Sequence, residues 1–172
     1  MLDAGSTGVL VPRVSTKEEA ALAVTFARYP PRGGRGFGYG RSTSYGSDMS
    51  RELTTIDDET YVIVQIETAA GIEALDGICS VDGVDMVLVG PFDLAFSMGE
   101  AMWSSAHNAA ISAIVERSAA HGVKTGIFCT TSEQVAGYAA LGVELFIVAA
   151  DVTLLVRAAR SSHAAAAAAL SS

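Results

Sequence analysis

The chain has 172 residues, of which 50% are hydrophobic and 17% charged, a composition that excludes a disordered or fibrous protein and fits one domain. Nineteen acidic residues against eleven basic ones give a formal net charge of -8, which repels a phosphate backbone and argues against nucleic-acid binding. Cys79 and Cys129 lie far apart with no CxxC or Cys/His cluster, so both read as small buried hydrophobes of a reducing cytoplasm, and no zinc site or disulfide scaffold is expected.

In chain order, residues 9–11, between Gly8 and Pro12, form an apolar run that reads as a strand buried on both faces. Ser15 and Glu18 have capping-box spacing, and Ala20, Ala21, Val24 and Ala27 give the next helix an apolar stripe that stops at Tyr29-Pro30-Pro31. Residues 30–50 then change abruptly to Gly, Arg, Ser and Tyr without periodicity. A loop this long is expected to be functional or mobile. Neither GxGxxG nor GxxxxGK(S/T) is satisfied, which argues against a phosphate loop. Arg32, Arg35 and Arg41 lie in this stretch, and a solvated loop face is their expected setting.

Residues 61–66, YVIVQI, form the clearest strand, ending at Glu67, and Thr68 then caps a short helix reaching residue 75. Residues 84–89 repeat the pattern and end in Gly90-Pro91-Phe92-Asp93. A longer helix covers 106–121, with His107 and His121 on it expected to face solvent. Residues 123–129 form another strand, and Thr131 with Gln134 again has capping-box spacing for a helix that stops at Gly142. Residues 143–148 form the last strand, and an Ala-rich helix follows to residue 170 with His163 within it; Asp151 reads as its N-cap or, less readily, as a partner supporting the strand-end site. Met102 and Trp103, after Gly99, read either as cover for a site or as a subunit contact. No apolar run approaches the roughly 20 residues of a membrane span, and the N-terminus has no basic segment leading into an apolar one.

Strands alternating with helices predict a parallel sheet with right-handed crossovers. Periodicity alone allows either a doubly wound open sheet or a (β/α)8 barrel. In both, functional groups gather at the carboxyl ends of the strands, where Glu67, Asp93 and Asp151 fall. Gln65 shares the face of Glu67 and needs a polar partner there, either a structural hydrogen bond or a ligand. Two carboxylates at consecutive strand ends can share a hard divalent cation, or they can merely cap the helices that follow.

The stretch Arg28-Tyr29-Pro30-Pro31-Arg32-Gly33-Gly34-Arg35-Gly36, the triplet Gln65-Ile66-Glu67 and the segment Gly90-Pro91-Phe92-Asp93-Leu94-Ala95-Phe96-Ser97-Met98-Gly99 occur together in this order. With them the chain resembles the HpcH/HpaI aldolase/citrate lyase family, specifically its class II aldolases of 4-hydroxy-2-oxo acids, from Leu2 to Arg160. The resemblance implies a partial TIM (β/α)8 barrel of about five C-terminal βα units, spanning residues 1–172 as a single domain. It implies a divalent metal, Mg²⁺ or Mn²⁺, held by Glu67 and Asp93, with Gln65 near metal and substrate. It also places the backbone of Gly90 and Phe92 near the pyruvate carboxylate, where free N–H groups at a helix start favour an anion.

The implied reaction is cleavage to pyruvate and an aldehyde, with the metal as Lewis acid, in a cytoplasmic homo-oligomer acting on a small 2-oxo acid. The family's acid/base histidine and pyruvate-binding arginine belong to units preceding the strand at 9–11, in a barrel of about 250 residues. The resemblance therefore implies no catalytic His or Arg here, and an impaired enzyme. Two further readings are a non-catalytic remnant that binds metal and 2-oxo acids, and an acyl-CoA lyase of the same superfamily. A net charge of -8 disfavours the second, because CoA calls for a basic patch.

Overall fold

Apolar runs too short for helices, and bounded by turn residues, pair as β1 (Gly8–Val11), β2 (Tyr61–Ile66), β3 (Met86–Val89), β4 (Lys124–Cys129) and β5 (Leu145–Val148). The computed structural model describes residues 1–47 and 55–170. All the pairings are parallel, and the spatial order is β1-β2-β3-β4-β5, so each strand lies beside its sequence neighbour. Right-handed crossovers between such neighbours put the connecting helices on one face, which is the winding of a barrel; a doubly wound sheet requires the order to reverse. The fold is the expected α/β partial barrel, and the doubly wound alternative is excluded.

The helices are α1 (Lys17–Ala27), α2 (Ala69–Glu73), α3 (Leu75–Cys79), α4 (Pro91–Met98), α5 (Ser105–Ala120), α6 (Glu133–Ala140) and α7 (Asp151–Leu170). Strand register decides which side chains meet them. Val9, Val62, Val87 and Thr125 share one face with Val11, Val64, Val89 and Ile127, and among these Val62, Val64, Val87, Val89 and Ile127 are fully buried beneath the helices. Each such side chain contributes about 1.5–3 kcal/mol relative to exposure. The opposite, concave face carries Leu10, Ile63, Gln65, Leu88, Phe128, Leu145 and Ile147. Gly126 sits among them because a Cβ there would come within 2.8 Å of Leu88 Cδ1 and 3.1 Å of Leu145 Cβ.

Several local expectations are corrected. The first helix begins one residue later than the Ser15–Glu18 spacing predicts: Thr16 is its N-cap and accepts the Glu19 N–H, while Glu19 Oε2 accepts the Ser15 N–H at 2.7 Å. Ser15 is engaged elsewhere, its hydroxyl 2.7 Å from Thr68 Oγ1. The helix after Glu67 breaks at Ala74 into α2 and α3, and runs on to Cys79. Gln134 Oε1 accepts the Thr130 N–H at 2.8 Å, but the N-cap of α6 is Ser132, with no side-chain cap bond.

The described residues between α1 and β2, 28–47 and 55–60, lie at the amino ends of the strands. The Gly-rich stretch is less irregular than expected, with a 3-10 turn at Arg41–Gly46; its residues 48–50 fall outside the described part. Arg35 and Arg32 are not merely solvated: Arg35 is buried, 2.6 Å from Asp3 and stacked 4.6 Å over the Tyr29 ring, and Arg32 pairs with Asp58 at 2.8 Å. Arg28 is 3% exposed, donates to Asp57 O and to Asp85 Oδ2 at 2.9 Å, and Asp85 Oδ2 also accepts the Val62 N–H. These ties hold the segment at the end of the sheet remote from Glu67 and Asp93.

Candidate functional site

The carboxyl ends of the strands surround a concavity of about 290 Å³ lined by Leu10, Gln65, Leu88, Gly90, Pro91, Phe92, Asp93, Phe128 and Ile147. Two sequence segments build its polar side. β2 runs out at Ile66, so Gln65 faces the concavity and Glu67 falls at the strand end, 5% exposed. Gln65 Nε2 donates to Glu67 Oε2 at 2.5 Å, so the structural partner anticipated for Gln65 is the carboxylate itself.

The second segment follows β3. Gly90 N–H bonds back to Ile66 O at 3.1 Å and Gly90 caps α4, with Pro91 in the first turn, where its missing N–H costs nothing. Leu94 N–H is the first to bond back, to Gly90 O, which leaves the Phe92 and Asp93 N–H groups without a helical acceptor. A Cβ on Gly90 would lie 2.5 Å from Gln65 Nε2 and 2.6 Å from Glu67 Oε2. Glycine is needed there for close approach. Ser97, one turn further, accepts the Ala69 N–H at 3.1 Å and ties α4 to the chain leaving Glu67.

Burial, and next the negative charge of Asp93, push the Glu67 carboxyl above the ordinary carboxylate range. An N–H bond from the Arg13 backbone and the Arg13 charge partly oppose this. The structure thus brings together Gln65, Glu67, Gly90, Phe92 and Asp93, all anticipated from sequence. A buried carboxylate whose charge is opposed by a second one, with no Lys or Arg ion pair to either among the described residues, makes a donor set suited to a hard divalent cation that keeps other positions for water and substrate. Among the described residues no group of three or more His, Cys, Asp and Glu assembles.

Arg13 was not anticipated. It stands just beyond β1 with φ of 57°, a conformation uncommon outside glycine, and its N–H reaches Glu67. The available signal was its place, directly after an apolar strand at a carboxyl end. Asp151 does not join the site: its Oδ1 accepts the Val152 N–H at 2.7 Å at the start of α7. His107 is fully buried, contrary to expectation, because its Nδ1 accepts the Trp103 N–H at 3.1 Å and its ring lies 5.5 Å from the Trp103 ring. Trp103 also faces Tyr138 at 6.5 Å and so belongs to the helix layer. His121 is partly exposed, 3.2 Å from Asp76.

A model of the HpcH/HpaI aldolase/citrate lyase family matches residues 1–158. Over 169 residues the chain is 37% identical to a hydroxypyruvate/pyruvate aldolase of Roseovarius nubinhibens, covering 95% of this chain and 65% of that protein. It is 34% identical over 155 residues to the 5-keto-4-deoxy-D-glucarate aldolase of Escherichia coli, covering 88% of this chain and 60% of the relative. A crystal structure of a protein of the same family from Burkholderia cenocepacia superposes with a TM-score of 0.87 at 34% identity, covering 96% of this chain and 66% of that one. The chain thus spans less than two thirds of the length of the curated relatives it matches.

Proposed function

We propose that this chain, which belongs to the HpcH/HpaI aldolase/citrate lyase family, is a divalent-metal aldolase that cleaves 4-hydroxy-2-oxo acids to pyruvate and an aldehyde. The observation that carries the reading is the buried Glu67 at a strand end, its carboxylate opposed by burial and by Asp93 beside an open concavity. Relatives named aldolases support the reaction class. Glu67 and Asp93 would hold Mg²⁺ or Mn²⁺, which when bound supplies Lewis-acid stabilisation of negative charge developing on a 2-oxo oxygen.

The other residues bind and orient. Gln65 fixes the Glu67 carboxylate while facing the concavity, and the free N–H groups of Phe92 and Asp93 suit the substrate carboxylate. Cleavage breaks the C3–C4 bond, leaves its electron pair on the three-carbon fragment and removes the 4-hydroxyl proton. His107 is packed against Trp103, His121 pairs with Asp76 and His163 lies on α7, so none of the three lines the concavity. Positioned acid–base catalysis is worth about 10² to 10⁴ in rate. The 172 residues alone are therefore expected to exchange the methyl protons of pyruvate more readily than they cleave an aldol. We place the protein in the cytoplasm as a homo-oligomer; its two cysteines are free and buried, and no helix among the described residues is long and apolar enough to cross a membrane.

Mn²⁺ binding by calorimetry and deuterium exchange at the pyruvate methyl group by NMR test the proposal. Both are expected to disappear in Glu67→Gln and in Asp93→Asn. Retention of metal binding and exchange in both variants overturns the assignment. Pyruvate binding without exchange in the wild type favours the non-catalytic reading.

A further inference from the structure

The concavity has two chemically different sides. Gln65, Asp93 and the start of α4 make one of them, which the proposed function assigns to the 2-oxo acid end. Leu88, Phe128 and Ile147, on β3, β4 and β5, make the other together with the Phe92 ring, and among the described lining residues no Lys or Arg adds a charge to it; Leu10, on β1, lies across β2 from them. Phe92 stands between the two. Its backbone N–H belongs to the anion-binding start of α4, while its ring, half exposed, meets Phe128 edge-on at 6.3 Å with the planes 64° apart. Phe128 and Ile147 are register partners on β4 and β5, so both project from the same row of the concave face.

A substrate anchored by its 2-oxo acid end and lying within the concavity sets whatever C4 carries against this row. A carboxylate or a run of hydroxyls placed there loses water and gains no hydrogen-bond partner from Phe, Leu or Ile side chains. An aromatic or branched aliphatic group loses nothing of that kind, and two ring edges favour a third ring beside them. We infer that the Phe92–Phe128–Ile147 row is the subsite for the aldehyde half of the substrate, and that it selects 4-hydroxy-2-oxo acids whose C4 substituent is apolar, in particular aromatic. The inference rests on the proposed function for the position of the 2-oxo end.

Binding tests it without turnover. With the Mn²⁺-loaded protein, pyruvate, 2-oxo-4-phenylbutanoate and 2-oxoglutarate share the anchoring end and differ only in what extends from it. The phenyl-bearing acid is expected to bind at least about tenfold more tightly than pyruvate by calorimetry, the scale of discrimination an apolar pocket supplies, and 2-oxoglutarate no more tightly than pyruvate. Phe128→Ala is expected to bring the phenyl-bearing acid to within about twofold of pyruvate while the pyruvate affinity stays unchanged. Ile147→Ala, at a position 37% exposed and tolerant of truncation, gives the same test with less risk to the fold and is expected to lose part of the preference. Equal affinities of the three acids, or a preference that survives both substitutions, overturn the inference and leave the aldolase reading standing. Failure of all three to bind overturns both.

Discussion

Glu67 is a carboxylate kept where it is costly. Its proton affinity is raised first by burial and then by Asp93, so the native state holds the proton more tightly than the unfolded chain does. The associated stability is fully present below the unfolded carboxylate pKa and is lost as pH rises through the higher folded value. Above that folded value the metal-free protein carries an unfavourable charge, and Glu67→Gln in EDTA is expected to raise Tm there while abolishing Mn²⁺ binding; a lower Tm means the carboxylate is a net stabiliser. Metal affinity in the wild type is expected to fall on acidification at a pH above the ordinary carboxylate range. Gly90→Ala probes the same spot sterically. Its φ of -98° suits alanine, but the new Cβ collides with Gln65 and Glu67, so a loss of about 1–3 kcal/mol in stability together with weakened metal binding is expected from denaturation and calorimetry. Both carboxylate positions were legible in the sequence, as a Q-x-E strand end and a G-P-x-D turn. The contribution of Arg13 was not, because it depends on how β1 lies against β2.

At the level of elements, the start of α1 shows what local pattern can and cannot fix. Ser15–Glu18 and Thr16–Glu19 both satisfy the capping spacing, and nothing within the helix separates them. The choice is made by a residue 53 positions away, since Thr68 engages the Ser15 hydroxyl and leaves Thr16 as the cap. Thr16→Ala is accordingly expected to cost about 1 kcal/mol in urea denaturation, and Ser15→Ala to act through its contact with Thr68 instead. His107 is a similar case: the 3.6-residue pattern places it at the start of α5, but its burial follows from the turn that folds Trp103 over it. At the amino ends, Arg28 reads as an ordinary helix-terminal cation until the fold surrounds it with Asp85 and the Asp57 carbonyl. Arg28→Met, which takes the guanidinium from the Asp57 carbonyl and leaves Asp85 with the Val62 N–H but no counter-charge, is expected to destabilise by about 3 kcal/mol, far more than loss of an exposed ion pair such as Arg32–Asp58.

The whole molecule is built on a curved sheet in which, among the described residues, β1 and β5 are each paired on one side only. Beside β1 lies an apolar groove of about 590 Å³ that includes Leu10, Leu22 and Phe26, the last 66% exposed. Beyond β5, α7 has no buried residue and presents Val152, Leu154, Leu155 and Val156 to solvent. Unpaired strand edges flanked by apolar surface are templates for association, and neither β1 (GVLV) nor β5 (LFIV) carries a Pro or a charged residue within it. The concave face adds Ile147 and Leu10 to the same exposed area. The 172-residue chain is therefore expected to self-associate in the micromolar to millimolar range, which sedimentation velocity detects as a weight-average mass that rises with concentration. Charged substitutions at both margins, Phe26→Lys with Leu155→Lys, are expected to reduce that association while leaving Mn²⁺ binding at Glu67 and Asp93 intact, since neither position lines the concavity. A chain that sediments as a monomer throughout this range and unfolds in one cooperative step means that its edges and apolar margins are satisfied within a single copy, and the homo-oligomer proposal then fails.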